Sequence, residues 1–201
     1  MGFMGMSYIE DIMSEGFNAL PCRVKRGMTY KLLYFLLAMG VLVSCKKDNR
    51  EELFELNYFF DFEIPPGLNT FDTHIWTVSP ITSQFDAKLA STGHVASEVE
   101  AVEPKEGYLG SVFQDVDLDF IHRVSIYIFD PFHPDDKIEF FYLDPVPFKN
   151  KTVIQLFPGI ANVQEWVESG FFGVEVRLDF REITPALTQM RLEFDLRAMG
   201  K

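Results

Sequence analysis

The sequence predicts an all-β protein: an antiparallel β-sandwich, immunoglobulin-like or jelly-roll, of seven to nine strands with one or two short helices. Three observations carry this. Apolar residues recur at every second position in several segments, turn-forming residues separate those segments, and no segment sustains a helical period.

The first element is the clearest. Phe54, Leu56, Tyr58, Phe60, Phe62 and Ile64 alternate with residues that are polar except at Phe59, and Pro65-Pro66-Gly67 ends the run. Such alternation marks a strand with one buried face. The same pattern returns at 174–181 and at 190–197, where Leu192, Phe194 and Leu196 oppose Arg191, Glu193 and Asp195. Segments 121–129, 137–143 and 151–157 read as further strands, with Asp130-Pro131, Asp144-Pro145 and Pro158-Gly159 as punctuation. Segments 71–78 and 97–102 carry weaker patterns. One short helix is expected within 82–90. A second is expected to begin at Asn162, with Asn162 and Glu165 as a capping pair and Trp166 and Val167 as its apolar face.

The chain of 201 residues fits one sizeable core. No cysteine follows Cys45, so no disulfide can staple the folded part, and its stability must come from packing. Twenty-one phenylalanines supply the material, each removing ~150–250 Å² from water when buried.

From Cys45 onward, 27 acidic residues face 14 basic ones, a net charge of −13. A domain of that sign repels phosphate backbones, so nucleic acid is not an expected partner.

The other sharp feature is the boundary at Cys45. Leu32 to Val43 is an uncharged run of twelve residues, preceded by Arg23, Lys25, Arg26 and Lys31. At ~1.5 Å per residue it makes ~18 Å of helix, short of a ~30 Å hydrocarbon core, and it suits the apolar part of a secretory signal. Beyond it, Lys46 to Glu52 holds six charged residues in seven. Leu42-Val43-Ser44-Cys45 resembles the bacterial lipoprotein lipobox, and the polar stretch after it resembles the tethers of Bacteroidota lipoproteins. The resemblance covers the signal and these four residues only. It implies cleavage before Cys45 and acylation of that residue, and several chains on one residue anchor stably where a single chain binds marginally.

The expected organisation is an over-extended start or unstructured segment at 1–27, a signal peptide at 28–44 beginning at Met28, a charged tether at 45–52, and one β-sandwich domain at 53–201. Cys22 would be absent from the mature protein. The expected location is the cell envelope at the outer membrane, on either its periplasmic or its surface face. The membrane is the partner through the lipid at Cys45, and an envelope protein or glycan would be the partner of the domain.

Candidate chemistry is sparse. Asp115, Asp117 and Asp119 alternate with Val116 and Leu118. On an extended strand such carboxylates stand ~6.6–7 Å apart, too far to share an ion, whereas a loop could converge them on Ca²⁺. The run lacks the glycine turn and bidentate acid of an EF-hand, and a solvated loop is the expectation. Phe132-His133-Pro134-Asp135-Asp136 offers imidazole and carboxylates but reads as a hairpin turn. His74, His94 and His122 are scattered. Phe59, Phe129, Phe141 and Phe171 fall on polar faces or strand ends. Exposed with Tyr127 or Trp76 they would form a sugar-stacking or docking patch; buried, they would mean that strands are covered on both sides, the commoner arrangement.

There is no nucleophile elbow and no phosphate-binding loop. The expectation is a non-catalytic binding or scaffolding module without cofactor. The alternative is an envelope glycan hydrolase acting through paired carboxylates.

Overall fold

The computed structural model describes residues 50–149 and 151–201. Segment 1–27, the signal segment 28–44, Cys45 and the tether as far as residue 49 lie outside the described residues. The elements in chain order are β1 (Glu51–Ile64), β2 (His74–Thr82), α1 (Phe85–Thr92), β3 (Val99–Ser111), β4 (Ile121–Asp130), β5 (His133–Leu143), β6 (Val153–Pro158), α2 (Gln164–Glu168), β7 (Phe171–Phe180) and β8 (Thr188–Gly200).

The eight strands form one antiparallel sheet in the order β1-β8-β3-β6-β5-β4-β7-β2, folded over on itself into a nearly closed barrel. Its two halves, β1-β8-β3-β6 and β5-β4-β7-β2, meet at a narrow seam. There β5 and β6 pair only at Phe141↔Pro158 and Tyr142↔Phe157. At the other margin the indole N–H of Trp76 in β2 donates to the carbonyl of Glu63 in β1 at 2.8 Å, and the Trp76 and Phe62 rings lie 5.3 Å apart. The all-β expectation and the strand number are both met.

Alternation explains the packing. Leu56, Tyr58 and Ile64 of β1 point inward, as do Met190, Leu192, Phe194 and Leu196 of β8, whereas Glu193 and Gln189 face water. Inside, Phe194 stacks on Tyr58 at 5.3 Å and meets Phe140 edge-on at 5.3 Å. Helix α1 lies against β1 through Phe85, whose ring contacts Phe54, and through the buried Leu89. Gly93, in the left-handed region that glycine enters without strain, returns its N–H to the Leu89 carbonyl and ends the helix.

Several boundaries differ from expectation. Glu51 and Glu52, read as tether, already belong to β1 and pair with Gly200 and Met199 of β8. β2 begins at His74 rather than at 71, because the Asn69 side chain accepts the amides of Phe71 and Asp72 and folds that segment into a turn. β3 runs to Ser111, well past the expected 102. Pro104 sits at a register shift, where a missing N–H does no harm. α2 starts at Gln164, and Asn162 and Glu165 do not form the expected capping pair. The Asn162 side-chain Oδ1 instead accepts the backbone amides of Gln164 and Val102, tying the helix to β3.

The outer face of β5-β4-β7 carries a charge cluster centred on Glu175. Lys137 donates to its carboxylate at 2.9 Å and Arg177 at 2.6 Å, and Arg177 also lies over the Tyr127 ring. Burial acts to raise the Glu175 pKa, but the two donors outweigh it and hold the carboxyl below its ordinary value. The charged form is thus favoured by folding. Its contribution is fully present above the ordinary glutamate value of 4.5 and is lost as pH falls through the lowered one. Glu175→Gln is expected to lose about 1–2 kcal/mol at neutral pH. Urea denaturation should show that deficit narrowing as the pH falls below 4.5; a constant deficit would contradict the assignment.

Candidate binding cleft

The described residues hold a cleft of about 300 Å³ where the two halves of the sheet meet. Its cause is local. β6 pairs with β3 from Val153 to Leu156, but with β5 only at Phe157 and Pro158, so the two strands splay beyond Leu143. Between them the chain turns away at Asp144-Pro145, and Val146, Pro147, Lys149 and Lys151 form one wall. Leu118, Leu143, Val146, Ile154 and Leu156 make the floor, all of them buried.

Specific bonds pin that wall. The Val146 amide donates to the His122 carbonyl at 2.8 Å, and the Val146 carbonyl accepts from Arg181 Nη2. The Arg181 guanidinium lies 3.9 Å from the centroid of the Phe148 ring. Asp119 accepts the Lys149 amide at 3.2 Å, and the Lys151 carbonyl accepts the Leu118 amide at 2.9 Å. Lys149 and Lys151 stand on the rim with Asp119, beside Phe157, which is 58% exposed.

The structure therefore gives the aspartate run a scaffolding place. Leu118 and Phe120 are buried and Val116 packs partly against the core, so the three carboxylates project outward. Asp115 accepts from the Ser111 hydroxyl, Asp119 ties down the cleft wall, and Asp117 precedes the short 3₁₀ turn Leu118–Phe120. They do not converge, and no cluster of three or more His, Cys, Asp or Glu side chains able to hold a metal occurs among the described residues. The His133 segment is the β4–β5 turn. Asp130 accepts the Phe132 amide and pairs with the His133 ring at 2.8 Å, and that bond holds the ring's pKa above its ordinary value. His94 pairs with Glu98, and His74 bonds the Asn69 carbonyl, so neither shares a site with another histidine.

The suggested aromatic patch does not assemble. Phe129 and Phe141 are buried. An extra residue in β5 opposite Ile126 and Tyr127 of β4 turns both Phe140 and Phe141 inward, and the Phe141 ring fills the space that Gly107 leaves empty. Phe59 and Phe171 are exposed, but on strands that are not neighbours.

A second cleft, of about 420 Å³, gathers Glu51, Glu98 and Glu100 near the end of β8. His94 and the Val95 amide hold Glu98, and Lys201 pairs with Glu100 at 3.1 Å. No Phe, Tyr or Trp side chain lines it.

The first cleft escaped the sequence reading. Its floor comes from residues far apart in the chain, and the one local signal was the pair Lys149 and Lys151 in an acidic sequence.

Fold and cleft define an all-β antiparallel domain with an apolar recess under a basic rim. Comparison with protein-family models, curated proteins and solved structures finds no match to this chain.

Proposed function

We propose that the protein is a lipid-anchored cell-envelope lipoprotein of the Bacteroidota type whose β domain is a non-catalytic binding module. The anchor rests on the uncharged run and Leu42-Val43-Ser44-Cys45. The observation that carries the module reading is the cleft at the β5–β6 seam, which combines an apolar floor with two rim lysines and a single acid, Asp119. A recess of that composition suits binding and orienting a ligand. It lacks the acid pair that glycoside hydrolysis requires.

The rival reading, an envelope glycan hydrolase, is favoured only by the gathering of Glu51, Glu98 and Glu100. It requires glycan cleavage by the purified protein that Glu98→Gln or Glu100→Gln abolishes.

Fractionation tests the anchor. Cys45→Ala is expected to leave the membrane pellet or to accumulate as a larger, unprocessed precursor. Unchanged mature size together with unchanged membrane partitioning would overturn the anchor.

A further inference from the structure

Charge pairing singles out the same cleft. Among the described residues, twelve lysines and arginines are present, and eight of them pair with a carboxylate within 4 Å. Arg50 and Arg197 share Glu103, Lys105 takes Glu52 and Glu55, Arg191 takes Asp61, and Lys137 and Arg177 share Glu175. With more than twice as many acids as bases among these residues, such pairing is what chance and Coulomb attraction produce. Four do not pair in this way: Lys88 stands alone on α1, whereas Lys149, Lys151 and Arg181 all belong to the cleft and its wall. Arg181 is committed to the Val146 carbonyl and the Phe148 ring. Lys149 and Lys151 have no carboxylate within that distance among the described residues, although Asp119 lines the same cleft.

The two lysines stand above a floor of Leu118, Leu143, Ile154 and Leu156. A wholly polar anion would leave that floor in water, and a neutral hydrocarbon would leave the lysines unmatched. An alkyl chain with an acidic head satisfies both, since the chain takes the apolar floor out of water and the head meets two ammonium groups at the rim.

We propose that this cleft binds a single-chain anionic amphiphile, its chain on the apolar floor and its carboxylate or phosphate head between Lys149 and Lys151. This rests on the binding-module reading and names its ligand class. A fatty carboxylate and a single-chain phospholipid offer the same chemistry here. A bilayer surface touching the exposed Phe148 and Phe157 is a different arrangement, and the test separates it.

The full-length protein in native envelope preparations is photolabelled with a dodecanoate carrying a diazirine near its methyl end, and the labelled residues are mapped by mass spectrometry. Label is expected on the cleft floor, in residues 143–158 and at Leu118. Competition by dodecanoate and by dodecyl phosphate, compared side by side, tells which head is preferred; dodecanol and dodecyltrimethylammonium should compete at least about tenfold more weakly. Lys149→Glu/Lys151→Glu, on exposed positions, should cut labelling about tenfold or more, as expected when two partly exposed ion pairs become repulsive. Limited proteolysis of that variant, unchanged from the native pattern, shows that its fold is intact. Labelling that survives the double substitution, equal competition by the cationic amphiphile, or label confined to Phe148 and Phe157 would overturn the proposal. The same samples report membrane partitioning, so loss of the ligand and loss of the anchor are read separately.

Discussion

Phe194→Ala is expected to cost about 3–5 kcal/mol, the range for deleting a fully enclosed aromatic ring. Phe194 stands in the middle of β8, itself held between β1 and β3. Its ring is 1% exposed, stacks on Tyr58, meets Phe140 edge-on at 5.3 Å and approaches Phe141 at 6.2 Å. These neighbours belong to β1 and β5, on opposite halves of the folded sheet, so no single backbone shift can close the void. Glu193→Ala, one residue away and facing solvent, should cost about 0.5 kcal/mol or less. Urea denaturation of the two variants gives the comparison. Similar losses at both positions would mean that the inward register of β8 is wrong.

Gly173→Ala is the second large effect, and it arises on the outer face. Gly173 of β7 lies opposite Phe129 of β4, and a Cβ on Gly173 would sit 2.2 Å from Phe129 Cζ. The tip of the ring therefore occupies the space above the glycine, which is why an outward-pointing phenylalanine is only 4% exposed. Alanine must displace the ring, at about 1–3 kcal/mol. In a Phe129→Ala background the obstruction is gone. Gly173→Ala should then be neutral or stabilising by up to about 1 kcal/mol, because alanine restricts the unfolded chain more than glycine does. Thermal melts of the four proteins in this cycle provide the check. Strict additivity would show that ring and glycine do not touch.

The sequence made β1, β7 and β8 legible because each has one buried face, and period two then needs no tertiary information. β3 was only half legible. Pro104, Gly107 and Gly110 all lower strand propensity, and each is accommodated by something the local pattern does not contain. Pro104 sits at a register shift, Gly107 admits the Phe141 ring, and Gly110 lies close to Val153. Phe129 and Phe141 were ambiguous for the same reason. One is buried by a glycine on the neighbouring strand, the other by an extra residue in its own strand, and neither event leaves a periodic trace. Asn162 was recognised as a capping residue, yet its oxygen is divided between helix and strand, and the Val102 amide that shares it lies sixty positions earlier. The cleft was least legible. It exists because two strands part after two residue pairs, and strand pairing is a property of the fold rather than of any window of residues.

The place of β8 in the sheet bears on how the domain comes into being. It is synthesised after the other seven strands of the sheet, yet it lies between β1 and β3 and pairs with both along most of its length. Until β8 arrives, β1 and β3 cannot join, and each offers an open edge to any other extended chain. A nascent chain is thus held short of its native sheet by order of synthesis alone. Contacts that span almost the whole domain, such as Glu51 with Gly200, make the closing step slow. Deleting β8, Thr188–Gly200, would remove a central strand and leave two sticky margins, so that deletion should produce aggregates rather than a smaller domain.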